Sequence, residues 1–164
     1  MKSEEFTNNK GTYAAVRFSD NTKEDLEAFI DDNGIKNGLS TDDLHCTLLY
    51  SRKHLPNYKP LGKVSYTATP DKFEVWESPA NAFKDDITYC LVLKLDCKEL
   101  VDRFNTLMDE HEATFDYETY TPHCTLSYDV GEDFDLSTLN VSDLENVEVV
   151  EEYMEELDLD KTFN

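Results

Sequence analysis

Positive charge is scarce in this chain. Its 164 residues hold 15 Lys and Arg against 36 Asp and Glu, a formal net charge of −21. Long-range repulsion of that size opposes docking on duplex nucleic acid or on an anionic membrane. Long apolar runs are missing too: the longest, residues 90–95, is broken by Lys94 and is far too short to cross a bilayer. No apolar run follows the opening Met1-Lys2-Ser3-Glu4-Glu5, so neither a secretory leader nor an anchor is expected. C-x-x-C and H-E-x-x-H spacings are absent, which removes the common zinc signatures. What the chain has in plenty is aromatic side chains, nine Tyr and nine Phe within 39% hydrophobic residues. That is too rich for a disordered acidic tail, and the length suits one compact domain or two small fused lobes.

Hydrophobic periodicity divides the chain. Residues 12–18 read as a strand, with Ala14, Val16 and Phe18 on one face and Tyr13, Ala15 and Arg17 on the other. Thr22 is a candidate helix cap, Leu26, Phe29 and Ile30 form the helical stripe, and Asn33-Gly34 ends it. Strands are expected at 44–50, 88–95 and 123–128, and one more at 147–154. Residues 64–69 and 72–77, on either side of Pro70-Asp71, read as a hairpin or two short strands. Asp96 is the expected cap of a second helix carrying Leu100, Val101, Phe104, Leu107 and Met108. Residues 115–120 read as an irregular aromatic stretch. Cys46, Cys90 and Cys124 sit in strand-like runs as small buried hydrophobes do, which favours free thiols in a reducing cytosol over two disulfides.

The pattern repeats. Strand, helix, strand occurs at 12–50 and again at 88–128, and His45-Cys46-Thr47-Leu48-Leu49-Tyr50 matches His123-Cys124-Thr125-Leu126-Ser127-Tyr128 at five of six positions. Thr12-Tyr13 is answered by Thr88-Tyr89. Two long copies suggest a pseudo-symmetric two-lobed domain rather than an array. In a strand, residues i and i+2 share a face, so each copy presents His and Thr on one side and turns Cys and Leu to the other. Related by a two-fold, the two faces line one groove. A phosphodiester there would meet an imidazole to take a proton, a second to give one, and two hydroxyls for its non-bridging oxygens. A lone His-x-Thr carries no such meaning; its duplication does, because core packing does not demand His at both equivalent positions. His54 and His111 lack this context and read as surface residues.

The doubled motif, His45-Cys46-Thr47-Leu48 and Pro122-His123-Cys124-Thr125-Leu126, resembles the paired signature of the 2H phosphoesterases, the LigT-like superfamily. Within it the chain is most similar to the anti-CBASS phosphodiesterases of tailed phages, which destroy the cyclic di- and trinucleotide alarms of bacterial immunity. The resemblance covers nearly the whole chain. It implies an α+β, two-lobed LigT-like fold in a single domain over residues 1–164, with antiparallel sheets facing a central cleft. It also implies metal-independent cleavage of 3′–5′ linkages in the infected host cytosol, with His45, Thr47, His123 and Thr125 as the catalytic set. One alternative is another 2H activity, opening 2′,3′-cyclic phosphates or processing RNA ends; a second, of a different class, is a protein that sequesters a nucleotide without cleaving it.

A cyclic nucleotide also carries bases, and aromatic stacking is the sequence-tolerant way to hold them. Tyr13, Trp76 and Tyr120 are the candidates, each of which ordinary packing would also explain; Arg17 suits a phosphate, and Glu151 an exocyclic amine. No cofactor is called for. Acidic pairs at Asp42-Asp43, Asp85-Asp86 and Glu151-Glu152 read as solvated faces rather than metal loops. Aromatics near Tyr58 and Phe83 leave self-association open. Repulsion weighs least against a small ligand with two or three phosphates, so the charge selects a compact nucleotide over RNA. The same negative field favours a protonated imidazole.

Overall fold

The computed structural model describes residues 10–80, 85–115 and 119–158. Among these residues the elements run β1 (Lys10–Phe18), α1 (Asp20–Asp32), β2 (Cys46–Ser51), β3 (Gly62–Ser78), β4 (Thr88–Asp96), α2 (Lys98–His111), β5 (His123–Ser127) and β6 (Val147–Asp158). Two short 3₁₀ turns, Leu136–Thr138 and Val141–Asp143, lead into β6. All strand pairs are antiparallel, and the order β1-β2-β5-β4-β3-β6 closes on itself. The repeat is visible in that order. Half-sheet β6-β1-β2 abuts half-sheet β5-β4-β3 where Cys46 pairs with Cys124, and β3 with β6 joins the other edges. The halves expected as facing sheets are therefore one continuous sheet.

One face of the sheet is greasy and the helices cover it. Val16, Phe18, Cys46, Leu48, Leu91, Leu93, Cys124, Leu126, Val147 and Val149 form a single buried cluster with Leu26, Phe29 and Ile30 of α1 and Leu100, Phe104 and Leu107 of α2. Burial of side chains this size, at about 25 cal/mol per Å² of apolar surface, drives the arrangement. None of the four cysteines forms a disulfide; Cys46, Cys97 and Cys124 are buried, whereas Cys90, expected to be buried too, is half-buried with its thiol donating to the Tyr128 carbonyl at 3.6 Å.

Several local expectations are corrected. The cap of α1 is Ser19, whose Oγ accepts from the Thr22 amide at 3.2 Å. Thr22 is instead buried, and its Oγ1 accepts the Glu148 amide at 3.0 Å, fastening α1 to the start of β6. Asp96 does not cap α2, because it still pairs with Thr69 as the last residue of β4; Cys97 holds the cap position without a side-chain capping bond, its thiol donating instead to the Glu99 carboxylate at 3.7 Å. Residues 62–78 form no hairpin. They are one long strand that pairs with β6 over its first half and β4 over its second, with a register shift at Pro70–Lys72. Proline offers no ladder donor, so a bulge forms there and the strand bends between partners. β6 extends past the expected 154 to Asp158. Tyr58 is buried, not exposed, whereas Phe83 lies outside the described residues, as do 116–118 of the aromatic stretch. His54 is exposed as expected, while His111 is half-buried, edge-on to Tyr58.

Candidate functional site

The Cys46–Cys124 pairing sets the site. In an antiparallel pair the residue before one partner lies opposite the residue after the other, so His45 faces Thr125 and Thr47 faces His123. Both cysteines are fully buried against the helices, so both histidines and both threonines project from the uncovered face. The imidazoles are diagonal neighbours, on positions roughly 7–8 Å apart. Each ring is anchored alike. His45 Nδ1 lies 2.8 Å from the Asp43 carbonyl and His123 Nδ1 lies 3.0 Å from that of Thr121. A carbonyl only accepts, so each Nδ1 carries a proton and each Nε2 is left as the ring nitrogen free of that bond.

The repeat extends to a β-bulge. Ala14 pairs with Leu49 but Ala15 with Thr47, and likewise Leu91 pairs with Ser127 but Val92 with Thr125. The skipped residues, Leu48 and Leu126, let two successive side chains face the core, so Leu48 and Leu49 are both buried, as are Leu126 and Ser127. Alternation then resumes with Tyr50 and Tyr128 on the cleft side. Tyr128 is 53% exposed, an aromatic at the rim that simple alternation does not reveal. The pairing also corrects the repeat alignment: Tyr13 corresponds to Cys90 rather than to Tyr89, which packs against the core.

Strands β1 and β6 build one wall. Tyr13 stands edge-on to His45 at 6.4 Å, and its hydroxyl meets Thr47 Oγ1 at 3.0 Å. Burial pushes that phenol's pKa up, so it stays protonated. Arg17 stacks 3.9 Å over the Tyr153 ring, and its Nε donates to Glu151 at 3.0 Å. Strands β4 and β3 build the other wall. Trp76 lies edge-on to His123 with centroids 4.5 Å apart, reaching across β4. Its indole N–H donates to Glu74 at 2.8 Å, and Lys94 is paired in register with His123.

The electrostatics of His123 run against the sequence expectation. Burial, with the His45 charge adding to it, lowers its pKa below 6.5 despite the hydrogen bond to Thr121. Desolvation outweighs the distant negative field, and the neutral imidazole is favoured. Among the described residues, no cluster of three His, Cys, Asp or Glu side chains is arranged to hold a metal ion.

Seven of the expected residues thus share the cleft face with Glu151 at its edge: His45, Thr47, His123, Thr125, Tyr13, Arg17 and Trp76. Tyr120 does not. It stacks on Phe104 of α2 at 4.4 Å, behind the floor, and donates its hydroxyl to the Thr47 carbonyl at 2.9 Å. Its role is to hold β2, because a ring packed against a core helix cannot also stack a ligand. Glu152 is the second correction. It is 1% exposed, accepting from Arg103 Nε at 2.9 Å, Arg103 Nη2 at 3.0 Å, Tyr58 Oη at 2.7 Å and the Leu61 amide at 3.2 Å. That network ties β6 to α2 from behind the wall.

By its construction this is a two-histidine, two-threonine cleft made by an internal repeat. Comparisons with known proteins place it further. The family model for "Anti-CBASS protein Acb1" matches residues 10–164. An anti-CBASS protein of Vibrio phage KVP40 is 34% identical over 164 residues, covering 100% of this chain and 99% of the relative. One from Acinetobacter phage Ac42 is 35% identical over 92% of this chain and 93% of its own. One from Enterobacteria phage T4 is 34% identical over 74% of each. The chain belongs to the anti-CBASS protein Acb1 family. No helix among the described residues is long and apolar enough to cross a membrane.

Proposed function

We propose that the chain is a metal-independent phosphodiesterase that cleaves 3′–5′ bonds in cyclic di- and trinucleotide immune signals in the infected host cytosol, and so evades CBASS defence. We also read its closed sheet as a LigT-like, 2H phosphoesterase fold. The observation that carries this reading is the Cys46–Cys124 register, which sets two Nδ1-anchored imidazoles and two threonines on one face. Family membership supports the choice of substrate.

In this mechanism neutral His123 is the base, because burial keeps its Nε2 unprotonated. It takes the proton of the ribose 2′-hydroxyl; that oxygen forms a bond to phosphorus as the bond to the 5′-oxygen breaks. His45, more open to solvent, gives its Nε2 proton to the departing 5′-oxygen. The products of the step are a 2′,3′-cyclic phosphate and a 5′-hydroxyl. Thr125 and Thr47 hold the non-bridging oxygens, with Tyr13 orienting the Thr47 hydroxyl. Tyr13 and Trp76 stack bases, Arg17 meets phosphate, and Glu151 accepts from an exocyclic amine. All proton-transfer groups belong to the chain itself, so the reaction proceeds in EDTA. Chromatography of a cyclic dinucleotide incubated with protein and EDTA tests this. Product in the wild type and none in His45→Ala or His123→Ala supports it; loss of wild-type activity in EDTA, or full activity in either variant, overturns it.

A further inference from the structure

Beside each imidazole the fold sets a cation, and a carboxylate from the next strand outward holds each cation. On the His45 side these are Arg17 of β1 and Glu151 of β6. On the His123 side they are Lys94 of β4, directly opposite His123, and Glu74 of β3, whose Oε2 lies 3.5 Å from the Lys94 ammonium. Arg17 and Lys94 are equivalents in the repeat, each two residues past the residue paired with the floor threonine. Their settings are unequal. Arg17 is stacked on Tyr153 with its side chain 52% exposed, whereas the Lys94 side chain is 21% exposed. Opposed residues in a ladder keep their Cβ atoms about 5 Å apart. A flexible lysine stem can therefore carry its ammonium to a phosphate lying at His123.

Glu74 has a second attachment. Oε1 accepts the Trp76 indole N–H at 2.8 Å, while Oε2 holds Lys94 and, at 3.4 Å, Lys72. The indole hydrogen bond, with the two lysines adding to it, holds this carboxyl below its ordinary pKa. One carboxylate therefore sets both the ring against His123 and the ammonium beside it. An ammonium has three donors, so it can keep Glu74 and still bond a phosphate oxygen.

We propose that Lys94 is a phosphate-contacting residue on the His123 side of the cleft, and that Glu74 is the positioning residue that couples it to base stacking on Trp76. This rests on the phosphodiester reading of the cleft, and the test separates the two. Trp76 is the only tryptophan in the chain, so its emission reports binding at this wall. The probe is a cyclic dinucleotide with phosphorothioate linkages, titrated by fluorescence, beside a chromatographic assay with the unmodified nucleotide. Lys94→Met should weaken probe binding about ten- to a hundredfold, the range for a hydrogen bond to a charged group. Lys94→Arg should recover most of that loss. Glu74→Gln should shift Trp76 emission in the free protein, weaken binding, and combine with Lys94→Met less than multiplicatively. Wild-type protein that binds the probe yet leaves the unmodified nucleotide intact sinks the phosphodiesterase reading and leaves the Lys94 assignment standing on its binding ratio. Folded Lys94→Met that binds within twofold of wild type overturns the assignment and leaves the phosphodiesterase intact. If circular dichroism shows that Lys94→Met is unfolded, Glu74→Gln decides: wild-type emission and affinity there overturn the proposal. A wild type that does not bind the probe overturns both.

Discussion

His45, just before β2, and His123, first in β5, take equivalent places with matching anchors, yet their walls differ. Beside His45 the aromatic comes from the adjacent strand, Tyr13 of β1, and sits 6.4 Å away. Beside His123 it comes from two strands away, Trp76 of β3, and packs to 4.5 Å. One wall is pinned from behind by the buried Glu152–Arg103 pair; the other gains its place because β3 runs continuously from β6 to β4. Duplication supplies two like imidazoles, whereas the proposed acid–base mechanism needs two unlike ones. The different walls provide the difference, since a closely covered imidazole loses its charge more readily than an open one.

The largest expected effects fall on the floor. His45→Ala and His123→Ala should each lower kcat/KM by about 10²–10⁴-fold, the usual contribution of a positioned acid or base. Because the proposed mechanism has both act in one step, the double variant should fall well short of the product of the two losses. Next comes the anchor behind β6. Breaking the buried pair by Arg103→Met leaves the Glu152 carboxylate uncompensated and should cost about 3–5 kcal/mol in urea unfolding. The β3 wall has no such charge behind it among the described residues, so a Phe73→Leu change near its middle should cost much less. Equal costs would erase the contrast between the walls.

Smaller effects belong to the aromatics. Trp76→Ala should weaken ligand binding by roughly 1–3 kcal/mol, the measured range for one stacked base. Tyr13→Phe keeps the ring and removes only the hydroxyl at Thr47, so it should cost about 1 kcal/mol. The loss should appear in kcat rather than in affinity, because it frees the Thr47 hydroxyl and leaves the stacking surface. Steady-state kinetics beside a binding titration check both.

How much of this was readable from the chain depends on the distance over which each feature is determined. The His-x-Thr strands were legible because i, i+2 geometry is local and the motif occurs twice. The faces of β1 were legible for the same reason. The repeated bulge was not: Leu48-Leu49 breaks alternation, and only pairing with Ala14 and Ala15 shows that both leucines face inward. Glu152 read as solvated because its partner Arg103 is 49 residues away on another element. Lys94 read as an interruption in an apolar run, since nothing near it in sequence announces Glu74. Tyr120 read as a ligand platform because its proximity to His123 along the chain says nothing about the side of the sheet on which it lies.

The finest prediction concerns the imidazoles themselves. His123 titrates below 6.5 in the folded chain, first because it is buried and second because His45 adds a like charge. An unfolded chain returns it to an ordinary imidazole near 6.5. Between those two values the unfolded state binds more protons, so the contribution of His123 to stability is present above pH 6.5 and is lost as pH falls through the folded value. In the proposed mechanism activity follows the same sign: His123 stays neutral from pH 6.5 down to its lowered pKa, and the acidic limb of kcat/KM lies lower than an ordinary histidine would put it. NMR titration of the ring protons gives the direct measurement. Trp76→Ala should raise the His123 midpoint by admitting water, and His45→Ala should raise it less, by removing only the secondary cause. A wild-type His123 midpoint at or above 6.5, or no rise in Trp76→Ala, would remove the physical ground for making His123 the base. The two halves of the cleft would then be chemically alike as well as structurally repeated.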